Sequence, residues 1–189
     1  MGRIQIFLTN LEKYVQGCLV GEWVKLPVPE DKLEAEFRRI GINERYGNGY
    51  FITDYESLFP NLYISEYASI AELNEFAERV EELADFDYEK LAAVLESESS
   101  MSIAEILEII DQLDEFDLLT EVHDDEALGE YYAEICCTFA AVPDHLKYYI
   151  DMERYGRDLR IELNCCFTSY GVVIGKCLIT TRLSSHPKI

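Results

Sequence analysis

The segment Ser69-Ile70-Ala71-Glu72-Leu73-Asn74-Glu75-Phe76-Ala77-Glu78-Arg79-Val80-Glu81-Glu82 carries two patterns at once. Its apolar residues recur three and four positions apart, which is typical of an amphipathic helix with one buried face. Ser69 followed by Glu72 is a capping box, a signature of a helix start. The other face carries acids at helical spacing, namely Glu72, Glu75, Glu78 and Glu82. The segment therefore predicts a helix to about Leu83 that is apolar inside and acidic outside.

A second segment repeats this design after a predicted linker at 96–100. Ser102 and Glu105 form another capping box. The apolar residues behind it are Ile103, Ile106, Leu107, Ile110 and Leu113. Its acidic face would present Glu105, Glu108, Asp111 and Glu115. With a short helix predicted at 87–95, residues 62–117 are expected to form a helical domain.

The acids on each predicted helix face repel one another. Like charges three or four residues apart on a helix cost about 0.2–0.5 kcal/mol per pair. Within 62–117 the opposing bases are Arg79 and Lys90, against seventeen acids. Two interpretations follow: a surface that binds a positively charged partner, or an acidic face that only interacts with solvent.

The charge of the whole chain favours the binding interpretation. The 189 residues contain 37 acids and 16 bases, a net charge of −21. Solubility of a small domain needs only about 2–8 net charges. Residues 1–61 are nearly neutral and residues 165–189 contain no acid, so the excess belongs to one region rather than to the whole surface. That distribution differs from the uniform acidity of a salt-adapted protein.

The charge density is close to that of DNA. Duplex DNA carries one charge per ~1.7 Å, so a charge of −21 corresponds to roughly 36 Å of duplex. A compact chain of this length has a diameter of about 40 Å, from its expected radius of gyration. A protein that binds nucleic acid directly needs a large basic surface, and this chain has the reverse. The composition indicates a partner that itself binds DNA.

The flanking regions predict mixed structure. Residues 1–61 are expected to be an N-terminal α/β domain. Its predicted elements are strands at 3–9 and 18–26 around a turn near Gly17, a helix from Glu30 to Ile40 ended by Gly41, a turn at 47–49 and a strand at 50–55. Residues 118–189 are expected to be a C-terminal α+β domain. Its predicted elements are a helix from Asp125 to about Cys136 capped by Asp124, a helix from Pro143 to about Tyr155 ended by Gly156, and a hairpin of strands 159–167 and 171–180. The predicted fold class is α+β, with three small domains.

No pattern indicates catalysis or a metal site. The histidines His123, His145 and His186 lack metal-ligand spacing, and no nucleophile motif is present. The run from Asp124 to Glu134 resembles a calcium loop, but Leu128 and Ile135 stand where ligands are needed. We therefore expect no catalytic residue, no cofactor and no metal. A pair of carboxylates acting as a hydrolase stays open as an alternative, since two acids would suffice.

The chain is expected to be cytoplasmic. No stretch approaches the eighteen or so apolar residues of a membrane span, and the N-terminus does not resemble a signal peptide. The six cysteines show no CxxC spacing and are expected to be free, mostly as small buried residues.

Several stretches resemble one known family, the ArdA-type antirestriction proteins. They are Asn10-Leu11 with Tyr14 and Gly17, Gly21-Glu22-Trp23, Asp54-Tyr55-Glu56, Glu66-Tyr67-Ala68-Ser69-Ile70 and Glu72-Leu73-Asn74. The most specific stretch is Val142-Pro143-Asp144-His145-Leu146-Lys147-Tyr148-Tyr149-Ile150-Asp151, followed by Glu153-Arg154-Tyr155-Gly156-Arg157-Asp158-Leu159. It is similar to the family's antirestriction motif, and the resemblance is collinear from about residue 4 to about residue 175.

The resemblance implies an elongated homodimer of three small domains, encoded on plasmids, transposons or phages. It implies that surface acids imitate the phosphates of bent DNA. The implied partner is a type I restriction–modification enzyme, through its DNA-recognition and methyltransferase subunits. The candidate phosphate mimics are the eight acids of the two helical faces together with Asp124, Asp125 and Glu126.

The third domain is implied to contain both the antirestriction motif and the dimer contact. The candidate motif residues are Val142, Pro143, Leu146, Tyr149, Asp151, Tyr155, Arg157, Asp158 and Leu159. The candidate dimer contact is Leu146, Tyr149 and Ile150, because the acidic middle region would repel a second copy. Another DNA-binding target, such as a histone-like protein or a repressor, stays open as an alternative partner.

Overall fold

The structure, a computed structural model, describes residues 4–42, 49–59, 61–98 and 100–175. In these ranges the chain forms eight α-helices and two three-stranded antiparallel sheets, which confirms the predicted α+β class. The chain divides into two compact units. Unit 1 contains the described residues up to Tyr88 together with 98–111, and unit 2 contains 89–97 with the described residues from Gln112 onward. The division into domains 1–61, 62–117 and 118–189 stays a prediction.

The first sheet belongs to unit 1. Its strands are β1 (Ile4–Asn10), β2 (Gly21–Leu26) and β3 (Tyr50–Ser57), in the order β2-β1-β3. Along β1 the side chains of Ile4, Ile6 and Leu8 are buried, as expected of a strand with one face on the core. On the other face Phe7 lies edge-on to Trp23, with ring centroids 5.3 Å apart. The central strand therefore anchors the core of this unit.

A short helix that the sequence did not predict follows the first strand. It is α1 (Leu11–Val15), and the strand predicted at 18–26 accordingly begins only at Gly21. Asn10 caps α1, because its Oδ1 accepts from the Lys13 N–H at 2.9 Å, and its Nδ2 donates to the Ile40 carbonyl at 2.9 Å. The next helix, α2 (Glu30–Arg39), confirms the predicted one, and the predicted turn at 47–49 lies largely outside the described residues.

Two acidic helices pack together in unit 1, as the capping boxes predict. They are α3 (Ile70–Glu82) and α5 (Ile103–Asp111). The Ser69 hydroxyl accepts from the Glu72 N–H, and the apolar face of α3 is buried. Asn74 attaches α3 to the chain after β2, because its amide accepts from the Val28 N–H at 3.0 Å and donates to the Val28 carbonyl at 2.9 Å.

The helix between them is longer than predicted. It is α4 (Asp85–Ser97), so the predicted linker at 96–100 is partly helical. Its residues from Leu91 to Leu95 are all buried, so tertiary packing stabilises the helix.

The second sheet belongs to unit 2. Its strands are β4 (Asp117–Leu119), β5 (Cys166–Thr168) and β6 (Gly171–Ile174), in the order β4-β6-β5. The hairpin predicted around Tyr170 is present, and residues 176–180 of its predicted second strand lie outside the described residues. The strand predicted at 159–167 is wrong. Most of that segment is helical, and only the last two of its residues join β5.

The helices of unit 2 correct a second prediction. Helix α6 (Asp125–Ile135) is capped by Asp124 as expected, at 2.8 Å from the Ala127 N–H. The single helix predicted from Pro143 to Tyr155 is wrong. The chain forms α7 (Asp144–Lys147), then α8 (Met152–Glu162), because Asp151 caps a new helix by accepting from the Arg154 N–H at 2.9 Å. Gly156, predicted to end a helix, lies inside α8 and is buried.

A close approach of two backbones explains Gly156. Helices α6 and α8 run in opposite directions past each other, and Gly129 faces Gly156 where they meet. A Cβ on Gly156 would lie 2.7 Å from the Gly129 nitrogen and closer still to the Asp125 carbonyl oxygen. A Cβ on Gly129 would lie 3.1 Å from the Gly156 nitrogen and closer to the Met152 carbonyl oxygen. Both positions therefore require glycine.

Replacement of Gly156 by alanine should destabilise unit 2. Backbone atoms cannot move aside as a side chain can, so we expect a loss of about 2–3 kcal/mol in the free energy of unfolding. This loss exceeds the roughly 1 kcal/mol by which alanine favours a helix over glycine. Urea unfolding of G156A measures it, with E130A on the exposed side of α6 as the control. A G156A protein as stable as E130A would show that the two backbones do not pack this closely.

Candidate protein-binding surface

The acidic face of unit 1 consists of the outward carboxylates of α3 and α5. Its members are Glu72, Glu75, Glu78, Glu82, Glu108 and Asp111. All six are exposed, whereas the apolar residues of the same helices are buried. The sequence pattern predicted this separation, and the packing of α3 on α5 brings the two acidic rows into one unit.

Arg79 lies within the acidic face. Its guanidinium bonds Asp111 at 2.5 Å, which connects the outer side of α3 to the end of α5. The hydrogen bond that Arg79 donates to Asp111 raises the pKa of Arg79, and the charges of Asp111, Glu82 and Glu75 raise it further. One arginine neutralises one carboxylate, so the face keeps a strong negative charge.

Glu105 has a structural role besides its charge. Its carboxylate accepts from the Ser102 N–H at 2.8 Å and from the Ser102 hydroxyl at 2.9 Å. In return the Ser102 hydroxyl accepts from the Glu105 N–H at 3.3 Å. This reciprocal capping box holds the start of α5 and leaves Glu105 only half-buried. Its part in imitating a phosphate stays a prediction.

The candidate acids of unit 2 also have different environments. Asp124 caps α6, and Glu115 and Glu126 are exposed. Asp125 is mostly buried: its carboxylate is 2.8 Å from the Arg160 guanidinium and 3.7 Å from that of Arg157. The hydrogen bond that Arg160 donates to Asp125 raises the pKa of Arg160, as does the charge of the carboxylate. Asp125 therefore joins α6 to α8 at their crossing.

The candidate motif residues divide into structural and exposed ones. Asp151 caps α8, and Leu159 packs against the core around Leu128 and Val172. The Tyr155 hydroxyl is 3.3 Å from the Thr138 hydroxyl, and its ring lies edge-on to Phe139.

The other motif residues lie nearer the surface. Arg157 bonds Glu153 at 2.7 Å and contacts Asp125. Pro143 precedes α7, Val142 is half-buried and Asp158 is exposed.

An exposed aromatic cluster lies at the α7–α8 link, within the candidate motif. Tyr149 is 80% exposed, Leu146 is 46% exposed and Ile150 is half-buried. Tyr148 is 89% exposed, with its ring centroid 5.8 Å from that of Tyr149. The predicted dimer contact did not include Tyr148.

Within the described ranges, no group of three or more His, Cys, Asp or Glu side chains could hold a metal ion. The cysteines correct the expected burial. Cys18, Cys136, Cys137 and Cys166 are exposed and free, and only Cys165 of the five described is buried. Burial raises the pKa of the Cys165 thiol.

Among the described helices, none combines the length and the apolar character that a bilayer crossing requires.

Comparison with known proteins identifies the family. The family model described as antirestriction protein (ArdA) matches residues 6–174. No curated protein matches the chain. The match covers the stretches on which the resemblance rests, from Asn10-Leu11 to Arg157-Asp158-Leu159. The chain therefore belongs to the ArdA family of antirestriction proteins.

Proposed function

We propose that this antirestriction protein occupies the DNA-binding site of a type I restriction–modification enzyme and excludes DNA from it. The acidic face of unit 1 carries the proposal. Its carboxylates project from two packed helices, and in the described part of the chain only Arg79 forms an ion pair with any of the six. The protein acts by binding alone, through contacts with the enzyme's DNA-recognition and methyltransferase subunits.

The spacing of the carboxylates supports imitation of DNA. From Glu72 to Glu82 the helix rises about 15 Å, at 1.5 Å per residue. Four carboxylates over that length give about one charge every 5 Å, against one every ~3.4 Å for a single DNA strand. A cleft lined with lysine and arginine to bind phosphates would attract this face in the same way.

We further propose that the protein works as a two-fold dimer. One copy corresponds to only about 36 Å of duplex charge, about ten base pairs by the same spacing. A two-fold pair doubles this length and matches a site in two halves. The exposed tyrosines of the α7–α8 link supply a weakly charged contact made of residues other than those of the acidic face.

Direct competition with DNA is the first expected outcome. The purified chain should displace a labelled duplex from a type I methyltransferase core, because both ligands use the same basic cleft. The displacement should weaken as the salt concentration rises from about 0.05 to 0.5 M, since salt screens exposed charges. Fluorescence anisotropy of the duplex measures it. Inhibition of the restriction enzyme without any displacement of DNA would contradict the proposal.

The carboxylates of the acidic face should act together rather than singly. Exposed charge pairs contribute about 0.2–1 kcal/mol each, so E75Q, E78Q, E82Q or E108Q alone should weaken binding less than about fivefold. The four together should weaken it on the order of a hundredfold, if their effects add. Removal of like charges at helical spacing should leave thermal stability unchanged or slightly higher.

The matched control removes four acids elsewhere in unit 1. The quadruple variant E12Q/E30Q/D31N/E34Q changes the net charge by the same amount on α1 and α2. If it weakens binding as strongly as the acidic-face variant, net charge alone determines binding and imitation of DNA is wrong.

The dimer should dissociate when one exposed tyrosine gains a charge. Tyr149→Glu should give a folded monomer in sedimentation equilibrium at micromolar concentration, because two carboxylates would meet at a two-fold contact. Inhibition should weaken at the same time. Tyr67→Glu, at a tyrosine that is 72% exposed in unit 1, is the control and should stay dimeric. A wild-type chain that sediments only as a monomer would refute the dimer.

A further inference from the structure

A groove that includes Glu72 of the acidic face combines an apolar lining with that carboxylate. Attraction between charges alone would not need the apolar lining. The groove lies within unit 1, between the segment 63–68 and the start of α5, with a volume of about 330 Å³. Its lining is mostly apolar and includes Met101, Ile103, Ala104 and Ala68. The exposed ring of Tyr63 forms one wall, and the carboxylate-bearing Glu72 stands at the rim.

The segment 63–68, which forms the first wall of the groove, is held by buried neighbouring side chains and by hydrogen bonds from β3. Leu62 and Ile64 are buried on either side of Tyr63, so that Tyr63 points outward. The Tyr55 hydroxyl donates to the Leu62 carbonyl at 3.0 Å. The Ile52 N–H donates to the carbonyl of Glu66 at 2.8 Å. The segment is thus fixed to β3 at two points.

The second wall is equally fixed. Met101 and Ile103 are buried. Ser102, between them in the sequence, forms the reciprocal capping box with Glu105. Ser100 adopts a left-handed backbone conformation, with φ of 58°, which turns the chain into the helix. A groove with two anchored walls exists before any ligand arrives, so binding loses little conformational entropy.

The composition of the groove selects the kind of group that fits. Its volume lies at the small end of the ~300–1,000 Å³ typical of ligand pockets, which suits a single side chain rather than a cofactor. The floor is apolar, whereas Glu72 is exposed, acidic and free of ion pairs with the described residues. An aliphatic stem with a cationic head matches both properties.

Arginine satisfies these conditions better than lysine. Its planar guanidinium is less strongly hydrated, stacks on aromatic rings and bonds a carboxylate through two N–H groups. Tyr63 offers the ring and Glu72 offers the carboxylate at the same groove. Arginine is also enriched among the residues that dominate the energy of protein interfaces.

We propose that this groove binds the side chain of an arginine from the DNA-binding cleft of the target enzyme. The stem lies on the floor of Met101, Ile103 and Ala104, and the guanidinium meets Glu72 and Tyr63. The inference rests on the proposed function and adds to it one specific anchor within the distributed attraction of the acidic face.

A double-mutant cycle tests the groove with the type I methyltransferase core as the probe. Ala104→Leu fills the groove without changing the charge, and leucine keeps the helix propensity high. We expect it to weaken binding tenfold or more, as for a central interface contact. Ala35→Leu, on an exposed position of α2, is the matched control and should change binding less than threefold. Circular dichroism checks that both variants are folded.

The second mutation of the cycle removes the charge of Glu72. E72Q should weaken binding more than E78Q does, because Glu78 lies on the same helix but does not line the groove. The effect of E72Q should largely vanish in the A104L background, since the filled groove no longer places a cation at residue 72. If A104L weakens binding but E72Q acts equally in both backgrounds, an apolar side chain occupies the groove and the arginine proposal is wrong.

Chemical protection identifies the occupant. Cyclohexanedione modifies arginine, and mass spectrometry of the core should show one arginine protected in the wild-type complex but modified in the A104L complex. Protection of no core arginine would overturn the inference. A wild-type chain that binds the core while A104L and A35L bind equally well would overturn the groove alone. A wild-type chain that does not bind the core would overturn the proposed function and the groove with it.

Discussion

Burial of apolar side chains holds α3 and α5 together, although the acids on their exposed faces repel one another. Full burial of a leucine or phenylalanine side chain contributes about 1.5–3 kcal/mol, whereas a like-charge pair at helical spacing costs about 0.2–0.5 kcal/mol. Helix α3 buries Leu73, Phe76 and Val80, and α5 buries Ile106 and Ile110. The apolar faces therefore outweigh the repulsion by a wide margin. The helices therefore stay folded even though their outer surface carries a large negative charge.

The stretch that resembles the antirestriction motif contains both structural and exposed residues. Asp151 starts a helix, Gly156 permits a close crossing and Leu159 packs against the core, so these residues hold α8 in place. The tyrosines in the α7–α8 link remain exposed at its surface. A change in this stretch can thus have one of two distinct effects, either to unfold unit 2 or to alter an exposed surface.

Sequence patterns predicted the elements whose signals are local. The capping boxes and the helical spacing placed α3 and α5, and the Asp124 cap placed α6, because each signal lies within a few residues. The continuation of α8 past Tyr155 was missed, since Gly156 looks like a helix end unless Gly129 is known to face it. That contact joins residues far apart in the sequence.

The candidate site shows the same limit. Exposure of the acids followed from their periodicity, but the partners of Asp125 and Asp111 did not, because Arg160 and Arg79 are 35 and 32 residues away. The groove was invisible in the sequence for a related reason. Its two walls come from segments on either side of α3 and α4, and only the folded chain brings Tyr63 close to Ala104.

The edge-on pair of Phe7 and Trp23 determines what optical spectroscopy can report. Trp23 is the single tryptophan of the chain and lies on the first sheet, in unit 1. Emission excited selectively at the indole therefore follows the environment of that unit, while the far-ultraviolet dichroism of the helices averages over both. Trp23 thus reports the unfolding of unit 1 without any label. Comparing its emission with the dichroism, which reports both units, isolates the unfolding of unit 2.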